Sequence, residues 1–122
     1  MKKVASLHDK ALQSRDAVEL LSDKWRIVVL HLLTGGPLRT SQLQRAIAGV
    51  SPKMLTQTLR GLERDGLVER HVGSVVPARV QYQLTSMGES VIPLLRDLCR
   101  WAKAHRGMRE AAQQRFNKQA AG

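Results

Sequence analysis

Apolar residues recur at helical spacing along most of this chain and change to a strand-like alternation only once. Over residues 7–21 they are interspersed with charges, which predicts an amphipathic first helix. Over residues 24–34 they surround the helix almost completely, so we expect this second helix at the centre of the core. Ser22 and Asp23 offer cap oxygens at its start, and residues 35–37 (GGP) end it.

A short third helix is predicted over residues 40–47. Thr40 or Ser41 would cap it, and the apolar side chains expected to point inward are Leu43, Ala46 and Ile47. Residues 48–50 (AGV) then form a tight turn. The next residue, Ser51, can cap a new helix.

The fourth helix begins with Pro52 at its first position, where the missing amide costs nothing, and it ends at Asp65 and Gly66. Leu55, Leu59 and Leu62 fall on one side of it. The opposite side carries a narrow basic and amide-bearing stripe, which we call the polar stripe: Lys53, Gln57, Arg60 and Arg64. For such a stripe alone, the plain interpretation is a helix face in contact with water.

After Gly66 the alternation predicts two strands, residues 67–72 and 79–84, joined by a loop over residues 73–78. Thr85 is a suitable cap for a last helix from residue 86. Pro93 lies well inside that helix, so we expect a kink or a break there. Residues 106–122 form a basic tail that extends the helix or frays.

Two helices joined by a three-residue turn and followed at once by a hairpin are the layout of a winged helix-turn-helix. The sequence therefore predicts a mainly α fold with a small β-hairpin, in a single domain over residues 1–122. Residues 37–85 would be the part that reads DNA, with residues 72–79 as the wing. The major groove admits one α-helix, and the polar stripe is the surface that such a domain would present to it.

The residue types fit duplex DNA. Glutamine pairs with adenine edges, lysine and arginine pair with guanine, and hydroxyls, including those of Thr56 and Thr58, bond phosphate or base. In the wing, Arg79 is placed for a phosphate or a narrow minor groove, and its alternative is an ion pair with Glu69 across the hairpin. The predicted DNA-binding residues are Arg39, Thr40, Ser51, Pro52, Lys53, Thr56, Gln57, Arg60, Arg64, Arg70 and Arg79.

The charge of the chain strengthens this interpretation. It has 20 Lys and Arg against 10 Asp and Glu, a net charge of +10 and a pI near 10.9, so its surface attracts polyanions. The most apolar stretch, residues 27–33, is far shorter than the ~20 residues that span a bilayer, and charges interrupt the N-terminus before a signal-peptide core can form. We expect a cytoplasmic protein with no membrane partner.

No catalytic or cofactor-binding pattern is present in the sequence. The histidines at 8, 31, 71 and 105 are scattered, and no glycine-rich phosphate loop occurs. A single cysteine, Cys99, excludes an intramolecular disulfide and a thiolate zinc cluster. We therefore expect no enzyme, no metal and no cofactor. The competing function is a basic winged-helix module that binds a protein or structured RNA.

The sequence resembles the HxlR-type winged-helix transcriptional regulators, relatives of the MarR regulators. The matching segments are LLSDKWRIVVLHLLTGGPLR, QLQRAIAGVSPKMLTQTLRGLERDGLVER and VPARVQYQLTSMGESVIPLLRDLCRW, which together cover residues 20–101. The resemblance implies a homodimer built largely from the first and last helices, residues 7–21 and 86–105, on double-stranded DNA with two-fold-related half-sites. A small-molecule effector of unknown identity in the dimer cleft is left open.

The resemblance has one departure that changes the chemistry. Members of this family commonly carry a cysteine just ahead of the tryptophan helix, and some use it to sense oxidants. Here that region reads LQSRDAVELLSDKW, so the sensing is not carried over. For Cys99 in the last helix we expect a buried structural thiol, since a buried cysteine behaves mainly as a small hydrophobe.

Overall fold

The computed structural model describes residues 2–21, 23–74 and 79–121, with side chains from residue 6 onward. By backbone contacts the chain divides into two compact units, Met1–Glu89 and Ser90–Gly122. The helices and strands are α1 (Lys2–Leu20), α2 (Lys24–Leu33), β1 (Leu38–Arg39), α3 (Thr40–Ala46), α4 (Pro52–Arg64), β2 (Val68–Val72), β3 (Val80–Leu84), α5 (Ser86–Ala104) and α6 (Arg106–Ala121). The predicted mainly α fold with a β-hairpin is confirmed.

The sheet has three antiparallel strands in the order β1-β3-β2. Tyr82 in β3 lies opposite Arg70 in β2 and opposite Leu38 in β1. The strand β1 was not predicted, because two residues are too few to show an alternating pattern. It pairs the segment before α3 with the hairpin, which ties the helix-turn-helix to the wing.

The core of the first unit lies between α2, α3, α4 and the sheet. Its most deeply buried apolar side chains are Val29, Leu30, Leu33, Leu43, Leu55, Leu59, Leu62 and Val68. The expectation that α2 would be buried all round is wrong, since Val28 is 37% exposed and Ile27 and Leu32 are only half-buried. One face of α2 is therefore in the core.

The helix α3 differs from the prediction in two details. Its N-cap residue is Arg39, whose backbone N–H donates to Oε1 of Gln42 at 2.8 Å, so neither Thr40 nor Ser41 caps the helix. Ala46 is exposed, whereas Leu43 and Ile47 are buried as expected. Ala46 is the last residue of α3, next to the turn.

Both ends of the hairpin are held by the predicted cap residues. Gly66 adopts φ +77°, the left-handed conformation that favours glycine, and its carbonyl accepts the Thr85 hydroxyl at 2.6 Å. The same hydroxyl accepts the N–H of Gly88 at 3.0 Å, which caps the start of α5 as predicted. This bond network joins the end of α4 to the end of β3.

The predicted last helix corresponds to α5, most of which lies in the second unit. Of the predicted kink or break at Pro93, the break does not form, because α5 continues through this residue. Pro93 is exposed, and water can solvate the carbonyl that lacks an amide partner. The tail is helical as α6, and His105 stacks on the Trp101 ring at 4.6 Å where the two helices meet.

Cys99 is exposed in the chain, so the prediction of a buried structural thiol is wrong. Its helical neighbours Leu98 and Trp101 are also exposed, by 55% and 56%. This side of α5 is uncovered in the single chain, although its apolar spacing is that of a packed helix. No helix within the described ranges combines the length and the apolar content needed to cross a membrane.

Candidate nucleic-acid interface

The helix α4 separates its apolar and polar residues as the sequence predicted. The Ser51 hydroxyl accepts the N–H of Met54 at 3.1 Å, and Pro52 is in the first turn. The buried side consists of Leu55, Thr58, Leu59, Gly61 and Leu62. All four residues of the polar stripe, Lys53, Gln57, Arg60 and Arg64, are exposed. The stripe is thus a solvent-exposed basic surface of the described chain.

The two threonines of α4 have different surroundings. Thr56 is exposed, and its hydroxyl donates to the carbonyl of Pro52 at 2.9 Å. Thr58 is only 2% exposed, so its predicted contact with phosphate or base is wrong. Its hydroxyl donates inward to Oδ2 of Asp23 at 3.2 Å.

The Asp23 carboxylate therefore serves two helices. Its Oδ1 accepts the N–H of Trp25 at 2.9 Å, which is the predicted cap of α2. Its Oδ2 accepts the Thr58 hydroxyl from α4. The other predicted cap residue, Ser22, lies outside the described residues. This carboxylate fixes the middle of α4 relative to the start of α2.

A second attachment holds the end of α4. Nη1 of Arg26 donates to Oδ2 of Asp65 at 2.7 Å and to the carbonyl of Leu20 at 2.9 Å. The Arg26 side chain is 11% exposed and that of Asp65 23% exposed, so solvent screens this ion pair only partly. The hydrogen bond from Arg26, followed by that from Arg64, holds the pKa of the Asp65 carboxyl below its usual value.

Gly61 makes room for this attachment. A Cβ atom at position 61 would lie 2.3 Å from Nη2 of Arg26 and 3.2 Å from its Cζ. The guanidinium thus crosses α4 against the backbone, at a position where any larger side chain would displace it. We call Asp23, Arg26, Thr58, Gly61 and Asp65 the α4 anchor.

Sequence reasoning missed the α4 anchor, apart from the cap role of Asp23. Arg26 and Asp65 are 39 residues apart, and no local pattern connects them. One signal was available, because a glycine in the interior of a helix costs about 1 kcal/mol and usually has a packing reason. Gly61 was that signal.

The start of α3 and the wing carry the remaining predicted residues. Arg39 and Thr40 are half-buried at the first turn of α3, and Arg70 is exposed on β2. Arg79 is exposed, and its carbonyl accepts the N–H of Gly73 at 2.9 Å, which closes the hairpin. The remainder of the wing, residues 75–78, lies outside the described residues.

The pairing of Arg79 with Glu69, given as the alternative to a DNA contact, is not found within the described ranges. Glu69 accepts a hydrogen bond from Gln83 and lies 3.3 Å from Nε2 of His71. The hydrogen bond from Gln83 lowers the pKa of the Glu69 carboxyl, and the hydrogen bond from His71 lowers it further by a smaller amount. The Glu69 carboxylate is therefore used within the sheet.

The arrangement of a short helix, a tight turn, a polar-faced helix and a hairpin matches a known family. The family model described as HxlR-like helix-turn-helix matches residues 20–110. The chain belongs to this family. It is accordingly a DNA-binding transcriptional regulator with a winged-helix fold.

Relatives in sequence and in structure agree. An uncharacterised HTH-type transcriptional regulator of Bacillus subtilis strain 168, YkvN, is 48% identical over 83 residues, which cover 68% of this chain and 70% of that protein. An uncharacterised HTH-type transcriptional regulator of Methanothermobacter thermautotrophicus is 47% identical over 89 residues, or 73% of this chain and 68% of that protein. The structure of the redox regulator HypR in its reduced form superimposes with a TM-score of 0.76 at 28% identity and covers 81% of this chain and 98% of that one.

Proposed function

We propose that this HxlR-like regulator is a homodimer that places α4 in the major groove and the wing, residues 72–79, beside the minor groove or the backbone. The observation that carries the proposal is the separation on α4, where Leu55 and Leu59 are at most 1% exposed and the polar stripe faces outward. An α-helix fits the major groove, and side chains of these types pair with base edges there. The net charge of +10 adds the attraction to the phosphate backbone.

The α4 anchor supports this role. A helix that reads bases has to be held in a fixed orientation relative to the rest of its domain, because a base contact depends on the position of each side chain. The carboxylates of Asp23 and Asp65 hold the middle and the end of α4. The polar stripe projects from a helix that cannot rotate without breaking these bonds.

Uncovered apolar residues on the terminal helices support the homodimer. Leu7 and Val18 on α1 are 59% and 63% exposed, and Leu94 on α5 is 66% exposed. Exposed apolar surface on this scale is typical of interaction sites. We propose that residues 7–21 and 86–105 form the dimer, that residues 37–85 read DNA, and that residues 106–122 form a basic tail. Two half-sites would then lie about 34 Å apart or a multiple of that distance.

The test is fluorescence anisotropy on the duplex upstream of the chain's own gene and on a scrambled duplex, at several salt concentrations. A regulator prefers its own site by about 10³-fold or more, whereas a nonspecific polycation shows only the salt-sensitive phosphate contribution. Equal binding to both duplexes that collapses with salt would contradict a site in that DNA. It would favour a protein or structured RNA as the partner of the basic face.

Single substitutions separate the residues that read bases from the residues that hold phosphates. Gln57→Ala and Arg60→Ala should reduce the preference for the upstream duplex, since a good base contact contributes about 1–3 kcal/mol of discrimination. Arg79→Ala should weaken binding to the upstream and the scrambled duplex alike, and it should reduce the salt slope of binding by about 1. Arg115→Ala, on exposed α6, is the matched control for the loss of one positive charge. Unchanged preference in both α4 variants would contradict the assignment of this face.

A further inference from the structure

An open cavity of about 440 Å³ lies beside the second half of α4, over the face of the sheet that carries Tyr82. Its lining residues are Arg60, Glu63, Arg64, Arg70 and Tyr82. Arg60 and Arg64 are one helical turn apart on α4, and Arg70 and Tyr82 are register partners on neighbouring strands. Three guanidinium groups thus converge on one space from two separate elements.

The positive charges of this cavity exceed the negative ones. Glu63 approaches Arg70 at 3.9 Å, which is a weak ion pair between exposed groups. Asp65 accepts from Nε of Arg64 at 3.3 Å, but its closer partner is Arg26 at 2.7 Å. The two carboxylates therefore leave the three lining guanidiniums with most of their donors available.

Tyr82 adds a neutral donor to the same cavity. It is 9% exposed, and within the described ranges its hydroxyl makes no hydrogen bond. Burial raises the pKa of the Tyr82 hydroxyl, and the nearby charges of Arg70, Glu63 and Arg60 shift it less. The hydroxyl thus keeps its proton at neutral pH and can donate it to an anion.

We propose that this cavity is a phosphate-binding site, in which Arg64 and Arg70 bind the oxygens and the Tyr82 hydroxyl donates to one of them. Guanidinium groups bind phosphate oxygens in paired hydrogen bonds, and a neutral phenol donor adds to them without repelling the cations. The phosphate is either a backbone phosphate of the duplex or that of a free phosphorylated molecule. The backbone version rests on the proposed function, because it requires α4 to lie on DNA.

The first experiment measures the protein alone. Inorganic pyrophosphate is titrated into the full chain by calorimetry at constant ionic strength, against a chloride blank. Arg70→Gln should weaken the binding about tenfold or more, since hydrogen bonds to charged groups are the strong ones. Tyr82→Phe, which removes only the oxygen, should weaken it several-fold, and Arg115→Gln should leave it unchanged. Thermal melts confirm that each variant is folded.

The second experiment uses the upstream duplex. If Arg64 and Arg70 hold one backbone phosphate, the salt slope falls by about 0.9 in the double variant, and by less in Arg64→Gln or Arg70→Gln alone, because the remaining arginine still neutralises the phosphate. Two separate phosphates would give about 0.9 for each single variant and about 1.8 for the double variant. Pyrophosphate should then compete with the duplex at matched ionic strength. Pyrophosphate binding that depends on Arg70 but leaves the duplex bound would assign the site to a free phosphorylated molecule.

The failures are distinguishable. The phosphate site would be overturned if pyrophosphate does not bind, or if it binds equally strongly to the wild type, Arg70→Gln and Tyr82→Phe. Either result would overturn it even if the duplex is bound with full preference. Binding that depends on these residues while the upstream and scrambled duplexes bind equally would keep the site and count against the proposed function.

Discussion

The sharpest prediction concerns Gly61 and the guanidinium that crosses it. A Gly61→Ala substitution adds a methyl group whose carbon would lie 2.3 Å from Nη2 of Arg26. The end of an arginine side chain normally moves aside at little cost. Here it is held by hydrogen bonds to Asp65 at 2.7 Å and to the Leu20 carbonyl at 2.9 Å, so moving it breaks at least one of them.

Two opposing contributions set the expected size. Replacing a glycine by alanine in a helix interior stabilises by about 1 kcal/mol when the methyl group meets nothing. Loss of a hydrogen bond to a charged group costs about 1.5–3 kcal/mol. We therefore expect Gly61→Ala to lower the free energy of unfolding by about 1 kcal/mol. In an Arg26→Ala background the obstruction is gone, and the same change should raise it by about 1 kcal/mol.

Urea unfolding measures this reversal as a coupling energy of about 2 kcal/mol. The four proteins compared are the wild type, Gly61→Ala, Arg26→Ala and the double variant. Arg26→Met, which keeps most of the aliphatic side chain, provides a second background if Arg26→Ala is too unstable. Gly107→Ala is the matched control, because no atom lies within 4 Å of its added carbon. If Gly61→Ala raises the free energy of unfolding as much as Gly107→Ala does, the guanidinium is not held across α4.

Asp65, Gly88 and Leu98 provide three further tests. The pKa of Asp65 lies below 3.8 in the folded chain. Its ion pairs therefore stabilise the folded state fully above that pH, and this stability is lost as the pH falls through the lowered pKa. Acid unfolding of Asp65→Asn should show a weaker pH dependence below pH 4 than that of the wild type. Gly88→Ala would place a carbon 2.0 Å from the Leu67 carbonyl oxygen, a backbone atom that cannot move aside. It should lower the free energy of unfolding in urea by about 2 kcal/mol or more. An unchanged free energy of unfolding would contradict this packing. On the proposed homodimer, Leu98→Glu should give a monomer by sedimentation equilibrium, and an unchanged mass would place the interface elsewhere.

Local chemistry explains what could be predicted from the sequence. The ends of α4 depend on the Ser51 hydroxyl and on the φ of Gly66, and both act within a few residues. The outward direction of the polar stripe follows from the positions of the leucines on the same helix. All of this information lies within residues 51–66.

Features that depend on distant parts of the chain were missed or predicted wrongly. Thr58 has the spacing of a base-contacting hydroxyl, but Asp23, 35 residues away, accepts its hydrogen bond. The strand β1 exists only because β3 pairs with it. Cys99 has the spacing of a core residue, yet the side of α5 on which it lies is uncovered in the single chain. Helical spacing indicates that a face is apolar, but it does not indicate which element covers that face.

The Arg26 side chain also connects α1 to the surface proposed to meet DNA. One nitrogen, Nη1, donates both to the last carbonyl of α1, that of Leu20, and to the carboxylate of Asp65, the residue that ends α4. Any event that unwinds the last turn of α1 therefore alters the fixation of α4. Thermodynamic linkage makes this relation reciprocal, so DNA that immobilises α4 must protect the amides at the end of α1 from hydrogen exchange by the same free energy. A single arginine side chain thus connects the end of α1 to α4, and these contacts do not involve Cys99.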